Sequence, residues 1–300
     1  MTQPIGVVAH YNLLERLEPA GPGELYRARD TRLGRTVSVR LLPADFTEDS
    51  EARGALLDRV RSLAGLSHPN ITAVFDAGEH EERLYLVYEF LRGQSLRGEM
   101  AGRMMNVRRA IELAIQMADA IADAHAAGFV HGGLSPDSIV VTARGHVKIP
   151  AFELAAYGGF DEEGGAVRLR DYDSPEEARG QQSDERSDIY SVGAVLYEML
   201  TTRRPLHRGA AAPRASNRHV PPELDEVALK AVAPNPDSRY QSAATLAAEL
   251  RTVAAILEVR GGAGDEIERA EPAEAHVGRA VLLMLVILVV LGTLAWLMLT

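Results

Sequence analysis

The segment His131 to Val140, HGGLSPDSIV, constrains this chain more than any other. A long amphipathic run precedes it. Val107, Ala110, Ile111, Ala114, Ile115, Ala118, Ile121 and Ala122 fall on one helical face, and Gly128 is suited to stop the helix. A short apolar run, Ile139 to Val141, follows, and then VKIPAFE, Val147 to Glu153. The expected layout is helix, loop, short strand, turn, short strand.

The rest of the chain supplies the layers around this loop. Tyr11 to Leu17, Leu25 to Ala28 and Arg35 to Leu42 read as successive strands, with the Gly- and Pro-containing turn Glu18 to Gly23 between the first two. Ser50 to Leu66 has helical spacing, and SHPNI breaks it. Strands follow at Ile71 to Phe75 and Leu84 to Phe90. Beyond Gly93 the pattern is helical, with Ile189 to Leu200 apolar on most sides and further helices at Leu224 to Val232 and Ala243 to Leu257. The fold class is therefore α+β, a small sheet with one helix followed by a helical body.

Composition narrows the functions. The chain is 46% hydrophobic and carries a net charge of −10, which argues against nucleic acid as partner. It has no cysteine, so disulfides, thiolate metal sites and cysteine nucleophiles are excluded. Its only lysines are Lys148 and Lys230. The N-terminal residues lack the basic start and apolar run of a signal peptide. Gly261 to Gly278 is rich in Gly, Ala, Glu and Pro and reads as a flexible acidic linker. Ala280 to Leu299 is uncharged, and about 20 residues of helix span roughly 30 Å, the bilayer core. With Arg279 at its entrance, the expected topology is a single membrane pass with the folded part cytoplasmic.

In order along about 250 residues, the motifs resemble bacterial eukaryotic-like serine/threonine protein kinases. YNLLERLEPAGPGELYRARD resembles the nucleotide-loop hairpin and RTVSVRLL the strand carrying V-A-I-K. LSHPNI resembles the loop after the regulatory helix. LVYEFLRGQSL resembles the hinge, with Tyr88 at the gatekeeper place. HGGLSPDSIV and PAFE resemble the catalytic and metal loops. YDSPEEARG, SDIYSVGAVLYEMLTTRRP and NPDSRYQSAATLAAEL resemble the A-P-E segment, the buried large-lobe helix and the final helical subdomain. The resemblance implies a bilobal fold: N-lobe 11–90, C-lobe 91–258, acidic juxtamembrane linker 259–279 and transmembrane helix 280–299. It implies structural roles for His131 in the loop, for a Glu176–Arg239 pair across the large lobe, and for Asp188 holding the catalytic-loop backbone.

The same alignment places unusual residues at the chemical positions. Glu18, Ala20 and Gly23 stand at the nucleotide-loop glycines, and Pro19 and Pro22 remove amide donors. Arg40 stands at the strand lysine and Arg59 at its glutamate partner, with Asp58 adjacent. Gly133 stands at the base aspartate, Ser135 at the loop lysine, and Ser138 and Ala151 at the metal ligands. Gly132 takes the place of the phosphate-gripping arginine and Leu169 that of the substrate-loop threonine; Leu154 to Asp173 holds no serine or threonine. These residues lead to the expectation of a pseudokinase: a membrane-tethered, non-catalytic protein-binding or signalling scaffold, with no enzyme activity, no cofactor and no metal. Its partner would be a protein, such as an active kinase or a membrane or cell-envelope protein. Two alternatives stand beside it. One is a metal-independent nucleotide sensor, with Arg40 and Arg59 balancing phosphate charge and the hinge from Glu89 to Leu91 holding adenine of ATP. The other is a serine/threonine-kinase-like enzyme with residual or altered nucleotide transfer, using Arg40, Asp137 and Glu153.

Overall fold

The computed structural model describes residues 3–17, 23–44, 50–150, 152 and 172–269. The chain divides into one unit of Met1–Ala254 and a second of Ala255–Thr300. Within the first, a six-stranded antiparallel sheet contains β1 (Gly6–Val8), β2 (Tyr11–Leu17), β3 (Glu24–Asp30), β4 (Thr36–Leu41), β5 (Val74–His80) and β6 (Arg83–Glu89), in the order β1-β2-β3-β4-β6-β5. Period-two alternation divides its apolar residues between two faces. Val37, Val39, Leu41, Tyr85 and Val87 pack with Tyr11 and Leu13 on one side. Leu84, Leu86 and Tyr88 pack on the other with Leu56 and Val60 of helix α1 (Ser50–Leu63).

The entry to β3 shows what the backbone requires. Gly23 has φ of +81°, and a Cβ there would lie 2.1 Å from the Leu41 carbonyl oxygen, so only glycine fits. Tyr11 donates from its hydroxyl to Asp76 Oδ2 at 2.8 Å and ties β2 to β5. Burial, reinforced by that carboxylate, pushes the Tyr11 phenol well above its usual range.

The expected strand at Ile71 to Phe75 is displaced. Ile71 forms a parallel bridge with Ile149, and Thr72 N–H donates to the Ile149 carbonyl at 2.9 Å. Asn70 Nδ2 donates to the Val147 carbonyl at 2.8 Å. These bonds draw residues 70–72 towards the helical body, so β5 begins only at Val74.

The helical body has a small sheet of β7 (Gly93–Ser95), β8 (Val140–Thr142) and β9 (Val147–Lys148) at its top. Helices α2 (Leu96–Met100), α3 (Val107–Ala126), α4 (Glu185–Thr201), α5 (Pro222–Ala231) and α6 (Ala243–Arg269) follow in chain order. This is the two-lobed arrangement implied by the resemblance. Asn106 caps α3 by accepting from the N–H groups of Arg108 and Arg109. Every residue of α4 from Ser187 to Thr201 is buried. A Cβ on Gly193 would come within 2.6 Å of Ala231 Cβ, so this glycine lets α4 and α5 approach closely.

Helix α6 runs to Arg269, inside the segment expected as a linker from 259 to 279. Among the described residues no helix is long and apolar enough to cross a membrane. The expected span Ala280 to Leu299 lies outside those residues.

Glu176 and Arg239 meet in a bidentate pair, with Nη1–Oε1 2.6 Å and Nη2–Oε2 2.7 Å. The Arg239 side chain is fully buried and also donates to the carbonyls of Ala233 and Arg186. Ser187 donates its hydroxyl to Glu176 Oε1 at 3.0 Å. Burial alone raises the Glu176 carboxyl, but Arg239 and neighbouring donors outweigh it and hold the group at about 2, against an ordinary 4.5. A depressed carboxyl contributes stability that is complete above its unfolded value and lost as pH falls. Urea midpoints of the wild type should therefore drop as pH falls from 4.5 to about 2. Glu176→Gln should flatten that slope and, at neutral pH, cost about 3–5 kcal/mol, because Arg239 is left buried without its counter-charge.

Candidate interlobe active site

The cleft floor is built outward from Asp188, a fully buried residue near the start of α4. Its carboxylate accepts from His131 N–H and Gly132 N–H, both at 2.8 Å, and lies 2.8 Å from His125 Nε2. Three contacts satisfy an anion that would otherwise be costly to bury. They also fix the first two residues of the loop, with Gly132 held at φ +57°. His131 Nε2 lies 3.0 Å from the Pro150 carbonyl oxygen, and its ring packs edge-on against Phe152 with centroids 4.7 Å apart.

Arg59 completes the junction from the other lobe. Its Nε and Nη2 donate to the Phe152 carbonyl at 3.1 and 3.0 Å, and Nη2 also donates to the Val130 carbonyl at 3.2 Å. The guanidinium lies 5.4 Å from the Phe129 ring centroid. The residue that cannot pair with Arg40 thus docks α1 onto the catalytic-type loop instead. These acceptors are neutral carbonyls, so Arg59 keeps its positive charge at this junction.

Arg40 is 5% exposed in β4, in register with Leu25 of β3 and Leu86 of β6. Gly133 and Ser135 are half-buried in the loop. Ser138 donates its hydroxyl to the Ser135 carbonyl at 3.0 Å and accepts from Ser135 N–H at 3.2 Å. The pair thus closes a turn. Asp137 is gripped by Arg97 through Nε–Oδ1 at 3.2 Å and Nη2–Oδ2 at 3.1 Å. Glu18, Ala20, Ala151, Glu153 and Leu169 lie outside the described residues.

Two clusters escaped sequence reasoning. Arg97 joins Asp137 to Glu198 of α4, at 2.7 Å, and also donates to the Tyr172 hydroxyl, which in turn donates to Glu198. Burial and then Glu198 push the Tyr172 phenol upward. Nothing in the local sequence around Arg97 announces this network. At the hinge, Lys148 Nζ lies 2.5 Å from Glu89 Oε1 and donates to the Ile71 carbonyl at 3.3 Å, while Glu89 also accepts from Ala73 N–H. The scarcity of lysine was the available signal.

The cleft suits a nucleotide better than a divalent cation. Leu91, beyond the end of β6, makes no backbone hydrogen bond among the described residues, so its N–H and C=O can meet the edge of an adenine. The cation fares differently. Ser138 is spent on its own turn and Asp137 on Arg97, so the described residues of the loop offer no open cation ligand.

Residues 13–253 match the model of the protein kinase domain family. The chain is 35% identical to a probable serine/threonine-protein kinase of Streptomyces coelicolor, over 81% of this chain and 40% of that protein. It is 35% identical to the serine/threonine-protein kinase PknB of Mycolicibacterium smegmatis, over 83% and 44%. To the serine/threonine-protein kinase PrkC of Bacillus subtilis it is 30% identical, over 82% and 41%. The chain thus spans about two fifths of the length of these relatives. In fold it is similar to the crystal structure of the Mycobacterium tuberculosis PknI kinase domain, with TM-score 0.69 and 21% identity, covering 84% of this chain and 98% of that one.

These relatives overturn three expectations: the non-catalytic scaffold, the absence of enzyme activity and the absence of a cofactor. Proteins named serine/threonine kinases are enzymes that use ATP with a divalent cation. Substitutions at single positions are not by themselves lost chemistry. Phosphoryl transfer depends mostly on positioning and charge compensation, and these belong to the whole frame. That frame, from Asp188 through His131 to Arg59, is assembled. By the match over residues 13–253 and by its relatives, the chain belongs to the bacterial serine/threonine protein kinase family.

Proposed function

We propose that the chain is a kinase-family enzyme that takes ATP between its lobes and carries out an altered nucleotide transfer to a protein hydroxyl. The observation that carries this reading is the organised loop, with its backbone fixed by Asp188 and α1 docked onto it by Arg59. The hinge at Leu91 is the proposed seat of the adenine edge, and Arg40 the source of positive charge toward phosphate. Gly133 leaves the acceptor hydroxyl without a carboxylate beside it, a loss worth about 10²–10⁴ in rate. A slow enzyme is therefore expected.

The reading includes a setting. Ala280 to Leu299 is proposed as a single membrane pass with the folded part on the cytoplasmic side, as Arg279 favours. The substrate or partner is proposed to be a protein, an active kinase or a cell-envelope protein, because a net charge of −10 disfavours nucleic acid.

The test uses the full chain in detergent micelles with ATP labelled on the γ- or the α-phosphate, in Mg²⁺ or Mn²⁺, read by label and intact mass. Slow incorporation is expected, and Arg40→Ala should abolish it. Gly133 is absent from the positive-φ residues, so an aspartate meets no backbone strain there. Gly133→Asp should raise the rate about 10²-fold or more. Arg59→Ala should lower incorporation and speed amide exchange across α1. No incorporation from either label, or an Arg40→Ala variant as active as wild type, would overturn the proposal.

A further inference from the structure

The chain has 42 acidic residues against 32 lysines and arginines, yet one stretch reverses that balance. Between Glu198 and Glu223 there is no aspartate or glutamate, while Arg203, Arg204, Arg208, Arg214 and Arg218 and two histidines are present. This is the connection from α4 to α5, and all five arginines are exposed. Arg214 pairs with Asp225 at 3.1 Å. Arg203, Arg208 and Arg218 form no ion pair with an acidic side chain among the described residues. Among these cations stands Leu206, 72% exposed, an apolar side chain turned to water. Further along the same connection, Arg214 and Arg218 line an open cleft of about 440 Å³ with Val220 and Pro222.

We infer that this connection is an anionic-lipid docking surface, with Leu206 entering the headgroup layer, Arg203, Arg204 and Arg208 on lipid phosphates, and the Arg214–Arg218 cleft receiving a headgroup. The chemistry follows from the arrangement. Arginines hold phosphate oxygens through a rigid donor fork and keep their charge at any relevant pH. An isolated protruding leucine flanked by long cationic side chains suits an interface that is apolar within and anionic at its rim. An acidic peptide would satisfy the arginines but leave Leu206 in water, so the lipid surface is the occupant favoured. The inference goes beyond the membrane pass proposed above and uses that pass only for proximity.

The absence of cysteine makes the test clean. The full chain carrying Leu206→Cys, labelled with an environment-sensitive dye, is placed in nanodiscs of phosphatidylcholine alone or with phosphatidylglycerol. Co-elution with phosphatidylcholine nanodiscs reads the membrane pass separately. If the chain does not incorporate, the same labelled protein is titrated with vesicles of the two compositions. The expected result is a blue shift, with quenching by spin-labelled lipid, on anionic membranes only, weakening as salt is raised. Each basic side chain near such a surface contributes about fivefold, so Arg203→Glu, Arg204→Glu and Arg208→Glu together should abolish the shift. These side chains are exposed, and an unchanged thermal melt will confirm that the triple variant folds. Equal emission on both membranes, or a shift that survives the charge reversal, would overturn the inference. A shift produced by soluble polyglutamate without lipid would overturn it in favour of an acidic protein partner.

Discussion

A single buried carboxylate organises this molecule. Asp188 has no solvent to stabilise its charge, so it holds whatever donors the fold brings to it, and two of these are backbone N–H groups of the loop that carries the chemistry. From there the constraint propagates by contact. His131 reaches Pro150 and packs on Phe152, and the Phe152 carbonyl receives Arg59 from the other lobe. A buried helix is thereby linked to α1 through the loop. An ion in a low-dielectric interior accepts only a narrow range of geometries, which is why such a residue can act as an origin for its surroundings.

Three further ionic groups brace the large lobe and hinge in related ways. Glu176 and Arg239 are buried and bidentate, and the arginine spends its remaining donors on carbonyls. Arg97 gathers Asp137, Glu198 and Tyr172 and so joins α2, the loop and α4. Lys148 and Glu89 do the same for the hinge and β9. Each arrangement joins segments far apart in sequence through a charge with several partners.

Much of this was legible in the sequence, for identifiable reasons. Strand and helix positions followed from alternation and helical spacing, because the strands divide their apolar residues between two packed faces and α3 buries one. The meeting of Glu176 with Arg239, and of Asp188 with the loop, could be anticipated because the family frame pairs distant segments. What could not be read were ion pairs between segments with no motif to join them, such as Arg97 with Glu198 and Lys148 with Glu89, and contacts whose acceptors are backbone atoms. Arg59 on two carbonyls, Ser138 on Ser135, and residues 70–72 on β9 leave no trace in residue type. Function was misread for a related cause. Residue identity at an aligned position describes one group, whereas the frame that positions a nucleotide is distributed.

The anchoring of α1 has a consequence for sequence drift. A side-chain ion pair is lost when either partner changes, so two positions must vary together. Arg59 instead addresses the carbonyls of Val130 and Phe152, and every amino acid supplies a carbonyl. The two receiving positions are thus relieved of covariation with α1. At this junction a single arginine side chain works against backbone carbonyls that no substitution removes.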